Sequence, residues 1–235
     1  MKVLVVTAMQ EEMFYLLSSL GVERSDGNPR WVTPLDIGQP GELTYLKYLP
    51  SEDRYIFATI GIGAINAASF LTLLIGKYAP THVLLLGSCG ALCSGFAIGD
   101  LVQPSRITQI GFEVLPSWGL PGEFLFNKRG ECDIKQGPLV SVNSFVGERD
   151  KKRLRKVTKS DYVDMESFAV VRVCYNMKTP VLVVRSVSDL IEDTVHDFYG
   201  NLEEAMYKIG EFMLKFDSPT SLVEHLEGFG TNGIK

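Results

Sequence analysis

Hydrophobic positions fall into two rhythms along the chain. Apolar runs of strand length recur at residues 2–8, 43–48, 54–60, 82–87, 100–108, 138–142 and 180–187. The first, fourth and last are rich in Val and Leu without alternation, which suits strands covered on both faces. Between the runs, apolar residues recur every three or four positions. Met9, Met13, Leu16, Leu17 and Leu20 mark one stripe, Ile65, Ala68, Leu71 and Leu74 a second, and Met165, Phe168, Ala169 and Val173 a third. A fourth spans 202–216 and turns Ala205, Ile209, Met213 and Phe216 inward. Such spacing predicts amphipathic helices, and strands alternating with helices predict an α/β domain of three layers. Two stretches break the rhythm: 21–42 is rich in Gly and Pro, as befits an excursion into an edge hairpin, and 111–137 mixes Pro with aromatics in the manner of a structured loop. From Pro219 onward the chain predicts a short helix at most and then a Gly-rich end.

Composition narrows the class. With 235 residues, 46% of them hydrophobic and 22% charged, the chain suits a single domain over 1–235. A net charge of −5 and a pI near 5.3 provide no basic field for a polyanion, so nucleic acid and anionic membrane are not expected partners. The local exception, the basic run at 149–156, reads as a solvated helix face, with a phosphate-binding patch as the alternative. The opening apolar run meets Glu11 and Glu12 without a cleavage site, which marks a buried first strand and not a signal peptide. No stretch reaches the ~20 apolar residues that span a bilayer. Four cysteines are too few and too scattered for a disulfide framework, and His82, His196 and His225 stand apart, so neither metal nor cofactor is expected. The expected location is the cytoplasm.

Chemistry-bearing residues concentrate where strands should end. Ala8-Met9-Gln10-Glu11-Glu12-Met13 follows the first Val-rich run, and Arg185, Ser188 and Asp189 lie in and just beyond the last. Val163-Asp164-Met165-Glu166 adds two further carboxylates. Acidic groups at strand ends are the usual site of chemistry in an open α/β sheet. Gly61-Ile62-Gly63 follows the strand ending at Ile60 and opens a helix, which fits either a tight turn lining a pocket or an anion site. Gly87-Ser88-Cys89-Gly90 follows the buried strand at 82–86 and brings backbone, with the Ser88 hydroxyl, close to a ligand region. Ser88 lacks the Gly-x-Ser-x-Gly elbow of a serine nucleophile.

Taken in order, Ala8-Met9-Gln10-Glu11-Glu12, Gly61-Ile62-Gly63-x-x-Asn66-Ala67-Ala68, Gly87-Ser88-x-Gly90-x-Leu92, Val163-Asp164-Met165-Glu166 and Val184-Arg185-x-x-Ser188-Asp189 resemble the motifs of the 5′-methylthioadenosine/S-adenosylhomocysteine nucleosidases, in the nucleoside phosphorylase superfamily. The likeness covers about 1–215. It implies a nucleoside phosphorylase-like three-layer α/β/α sandwich with a mixed central sheet, and a small-molecule nucleoside as substrate. N-glycosidic cleavage needs an activated water, a protonated leaving base and carboxylates near the ribose. By resemblance Glu12 is the general base; its plainer reading is a solvent-facing first-turn glutamate that stabilises a helix N-terminus. Glu166 corresponds to the ribose-hydroxyl ligand, Met165 to the residue packing on the sugar, and Gly63 to the glycine turn beside it. Asp189 corresponds to the acid that protonates purine N7, with Ser188 orienting it. Arg185 and Ser88 correspond to groups around the attacking water, and a cation beside Glu12 would favour the ionised form that a base requires. An Arg185–Asp189 ion pair is the plainer alternative. Phe145 and Val146 correspond to the purine-stacking residue and its neighbour, although Val142-Asn143 stands where the family has Gly-Asp.

The resemblance also implies a homodimer whose partner loop completes the 5′ end of the site. That end is expected to be apolar, lined by Leu115, Trp118, Leu120, Phe124 and Phe126, since no Lys or Arg lies between Arg106 and Lys128. Competing readings are a futalosine or 6-amino-6-deoxyfutalosine hydrolase, a purine nucleoside phosphorylase and a non-catalytic nucleoside-binding protein. Against a phosphorylase, Glu11 and Glu12 would repel phosphate. Against a pure binder, three carboxylates in one pocket are costly without chemistry to perform.

Overall fold

The computed structural model describes residues 1–21, 44–48, 54–111, 121–126 and 134–227. The expected excursion at 21–42, most of the aromatic loop and the Gly-rich end therefore lie outside the described residues. Along the chain run β1 (Lys2–Thr7), α1 (Gln10–Ser19), β2 (Thr44–Tyr48), β3 (Arg54–Thr59), α2 (Ala64–Tyr78), β4 (His82–Ala91) and β5 (Leu101–Gln109). Then follow β6 (Glu123–Leu125), β7 (Lys135–Ser141), α3 (Glu148–Thr158), β8 (Tyr162–Asp164), α4 (Ser167–Asn176), β9 (Val181–Asp189), α5 (Val195–Met213) and α6 (Pro219–Glu227). No described helix is long and apolar enough to cross a membrane.

One mixed sheet carries the nine described strands in the order β2-β3-β1-β4-β8-β7-β5-β6, with β9 pairing both β4 and β5. The β9 pairings close a circuit. β4 runs parallel to β9, β9 antiparallel to β5, β5 parallel to β7, β7 parallel to β8, and β8 antiparallel to β4. The sheet is thus open on the β1 side and closed into a small barrel on the other, and its strands alternate strictly between two cores. Leu4 and Val6, Val83 and Leu85, and Val181 and Val183 face one apolar cluster; Val3 and Val5, Leu84 and Leu86, and Leu182 and Val184 face the other. Buried residues of α2 and α4 complete the first cluster, and those of α1, α5 and α6 the second. This is the expected three-layer sandwich, and its central strands are unbroken Val/Leu runs because both their faces are dry.

Several local expectations are corrected. β4 does not end at 87 but runs to Ala91, with a register shift against β9 between Cys89 and Gly90. Ser88 therefore sits inside a bulged strand and not in a turn. On α2 the inward face is Ala67, Leu71, Leu74 and Ile75, while Ile65 is 83% exposed. Phe124 and Phe126 are buried in the chain's own core, Phe124 packing 5.4 Å from Phe168, so they line neither an open patch nor a pocket. Met165 precedes α4 and is not part of its stripe.

Two of the helices that carry the second core, α1 and α5, meet at glycine. A Cβ on Gly210 of α5 would come within 2.6 Å of Ser19 Cβ and 1.7 Å of its Oγ, at the end of α1. Gly210→Ala should therefore destabilise the fold by about 1–3 kcal/mol, overpacking outweighing a helix-propensity gain of about 1 kcal/mol. Denaturant unfolding checks this, and Ser19→Gly in the Gly210→Ala background should recover most of the loss.

Candidate active site

The C-terminal ends of β1, β4, β8 and β9 converge on a cavity of about 280 Å³. Of the residues singled out in the sequence, Glu12, Ser88, Phe145, Val146, Met165, Glu166, Ser188 and Asp189 all line it. Gly63 and Arg185 are not part of the lining: Gly63 hydrogen-bonds Glu166, and Arg185 pairs with Asp164 and Glu166. Ile62, Cys89, Gly90, Val142, Val195, Phe198 and Tyr199 also contribute to the wall.

Glu12 occupies the third position of α1 and is buried, 2% exposed, not solvent-facing. Its Oε2 accepts from the backbone N–H groups of Ala8 (3.0 Å) and Met9 (3.1 Å). Its Oε1 accepts from Ser88 N (2.8 Å) and Ser88 Oγ (2.7 Å). Four donors and no acceptor suit an ionised carboxylate. The plainer reading is corrected in its exposure and kept in its contact: Glu12 hydrogen-bonds the backbone at the start of its own helix, and doing so fixes the carboxylate at the cavity wall.

Arg185, fully buried on β9, pairs with Asp164 and not with Asp189. Its Nη2 lies 2.5 Å from Asp164 Oδ2 and 3.7 Å from Glu166 Oε2, and its Nε and Nη2 donate to Ser167 Oγ at 3.3 and 3.2 Å. Asp164 also accepts from Ser141 Oγ (2.6 Å) and from Ser167 N at the start of α4 (3.1 Å). Gly87, with φ of +148°, lets this arrangement meet Glu12: a Cβ there would lie 2.5 Å from Arg185 Nη1 and 2.9 Å from Glu12 Oε1. Asp164 is a positioning residue that the sequence reading left without a role, although it sits within the Val-Asp-Met-Glu motif.

Glu166 accepts from Gly63 N at 2.8 Å. Burial, and then the nearby negative charge of Asp164, push its carboxyl up to about 8 despite Arg185 and the Gly63 hydrogen bond. Cys89 also faces the cavity, but burial drives its thiol well above the ordinary range and favours the neutral thiol over the thiolate.

Asp189 has an unexpected partner. Its Oδ1 accepts from Ser188 Oγ at 2.9 Å, as expected, while its Oδ2 forms an ion pair with Lys151 Nζ, which also donates to the Leu190 carbonyl. Lys151 belongs to the basic run on α3. That run is solvated as predicted at Arg149, Lys152, Arg153 and Lys156, but Lys151 and Leu154 turn inward.

This fold and carboxylate-lined cavity place the chain in the phosphorylase superfamily, whose family model matches residues 2–216. Within it the chain belongs to the 5′-methylthioadenosine/S-adenosylhomocysteine nucleosidases, and it is a hydrolytic enzyme. It is 27% identical to the nucleosidase of Staphylococcus carnosus across 90% of this chain and 98% of that protein. To the Staphylococcus aureus nucleosidase it is 32% identical, across 66% and 77%. Among solved structures, the Helicobacter pylori nucleosidase superposes with a TM-score of 0.73 at 21% identity, across 91% of this chain and 96% of that one. Futalosine hydrolase of the same species also gives 0.73 at 21%, across 96% and 98%.

The raised Glu166 carboxyl has a consequence for pH. Between the unfolded value of 4.5 and about 8 the folded state binds the extra proton, so this group's contribution to stability falls as pH rises through that window. Glu166→Gln, neutral at every pH, should lose this dependence. The stability difference between Glu166→Gln and wild type, followed by denaturant unfolding from pH 5 to 9, should therefore move in favour of the variant as pH rises.

Proposed function

We propose that the protein hydrolyses the N-glycosidic bond of an adenine nucleoside bearing a thioether at its 5′ position, releasing adenine and the thio-ribose. The observation that carries this reading is the pairing of two differently held carboxylates in one cavity. Glu12 accepts only hydrogen bonds, as a base should, and Asp189 stands on the other side with a proton-bearing partner. Water held between Glu12 and the ribose attacks C1′, Glu12 takes its proton, and Asp189 delivers one to purine N7 as the base departs. Glu166 holds the ribose hydroxyls, Met165 packs on the sugar, and Phe145 and Val146 face the purine; each of these lines the cavity.

Water is favoured over phosphate as the nucleophile because no described Arg or Lys lines the cavity and Arg185 is engaged with Asp164 behind it. A thioether is favoured over a carboxylate at the 5′ position because the described wall offers Met9, Ile62, Val195, Phe198 and Tyr199 and no cation. A homodimer fits the exposure of Ile62, Ile65, Leu73, Tyr175 and Met177 on or beside α2 and α4. The whole chain is read as a single cytoplasmic domain that needs neither cofactor nor metal.

A nucleoside panel assayed with and without phosphate tests the reading. Free adenine should appear from 5′-methylthioadenosine at a rate indifferent to phosphate. Dependence on phosphate, or much faster cleavage of futalosine, would overturn it. In the same assay Glu12→Gln should reduce kcat by about 10²–10⁴, the range for loss of a general base, while leaving nucleoside affinity nearly unchanged.

A further inference from the structure

Lys151 is a buried cation that the reaction as described does not use. Its side chain is 1% exposed, does not line the cavity and touches it only through Asp189. A lysine taken out of water loses several kcal/mol of hydration unless it is paired, so the pair cannot be an incidental surface contact. It also creates a conflict. An acid that protonates N7 must carry a proton, yet a carboxylate in contact with an ammonium group is ionised. The pair as a whole resolves this, because Lys–NH3⁺ with Asp–COO⁻ holds the same number of protons as Lys–NH2 with Asp–COOH.

We propose that Lys151 is a positioning residue that stores the proton used by Asp189, passing it across their hydrogen bond as the glycosidic bond breaks. The inference rests on the hydrolase reading above. As the C1′–N9 bond breaks, its electron pair passes into the purine ring and N7 becomes strongly basic. The Asp189 carboxyl gives N7 its proton and receives one from Lys151 Nζ, which is left as a neutral amine. Water adds to C1′ and its proton goes to Glu12. Glu12, Asp189 and Lys151 together carry the same net charge before and after, so turnover leaves no added charge in the buried site. Proton exchange with solvent on product release returns the proton from Glu12 to Lys151. The Leu190 carbonyl and the Ser188 hydroxyl hold the two partners in place for the transfer.

The test compares leaving groups that do and do not need a proton. Lys151→Met should lose about 10²-fold or more in kcat on 5′-methylthioadenosine, the range for general-acid catalysis. On 4-nitrophenyl β-ribofuranoside, whose phenolate leaves unprotonated, it should stay close to wild type, and that activity also reports a folded site. Equal losses on both substrates, or none on either, would overturn the inference. Lys151→Ala separates proton from charge. Propylammonium should restore purine release, and tetramethylammonium, which has the charge but no N–H, should not. Equal rescue by the two would mean that the lysine acts by charge alone and would reject proton storage. The two readings fail differently: a wild type that releases no adenine sinks the hydrolase reading itself, whereas an active wild type with an indifferent Lys151→Met sinks only the inference.

Discussion

The contact on which this site depends is the ion pair between Arg185 and Asp164, buried where the sheet closes on itself. Arg185 belongs to β9, and its guanidinium reaches Asp164 at the end of β8, Ser167 at the start of α4 and the Leu86 carbonyl of β4. One side chain thus ties together three strands and a helix at the point where their ends must form a cavity. Such a pair adds little net stability over an apolar core, but loss of either partner strands a charge and costs about 3–5 kcal/mol. Its effect is therefore to exclude arrangements in which β8 or α4 is displaced, and Glu166, two residues beyond Asp164, is fixed as a result.

The same cluster sets how protons are distributed. Glu12, Asp164, Glu166 and Asp189 surround or face the cavity with two buried cations, Arg185 and Lys151, to balance them. The imbalance is relieved at Glu166, where burial and Asp164 favour the protonated form. Each cation then dominates one side. Arg185 is held behind the cavity wall, near Glu12, by its contacts with Asp164 and the Leu86 carbonyl, while Lys151 donates to Asp189 and the Leu190 carbonyl. The two carboxylates share one pocket but not one environment: Glu12 has hydroxyl and amide donors, Asp189 an ammonium.

Much of this was legible in the sequence because it depends on local patterning. Both-face burial leaves unbroken Val/Leu runs, and β1, β4 and β9 were readable from them. β6 and β8, three residues each, are too short to show a period, and they exist because neighbouring strands supply their hydrogen bonds. Most of the residues that line the cavity could be named from the ordered motifs, which fall at or near strand ends. Lys151 was not, for a physical reason. In the run 149–156 six of the eight residues are basic, so which one turns inward depends on Leu154, three positions beyond Lys151, and on a carboxylate 38 residues away in sequence. Ile65 failed in the opposite direction: α2 is apolar on more than one face, and the rotation that buries Ala67, Leu71, Leu74 and Ile75 leaves Ile65 in the open.

The extension of β4 beyond its expected end links fold to chemistry. A strand that stopped at 87 would leave Ser88 on a loop, where the sheet would not hold its hydroxyl against Glu12. β4 instead continues in register with β9 through Ser88 and Cys89, and the shift at Cys89/Gly90 re-aims it toward β8. Continuing through that point brings backbone between Glu12 and Arg185 on one side and beside Asp189 on the other. Glycine is needed at both passages: a Cβ at Gly87 would strike Arg185 and Glu12, and one at Gly90 would lie 2.7 Å from Asp189 Oδ2. The two glycines read from sequence as a turn are therefore clearances in a strand. They let Glu12 and Asp189, both on the cavity wall, approach one rigid element, so that their separation is set by the sheet and not by a loop.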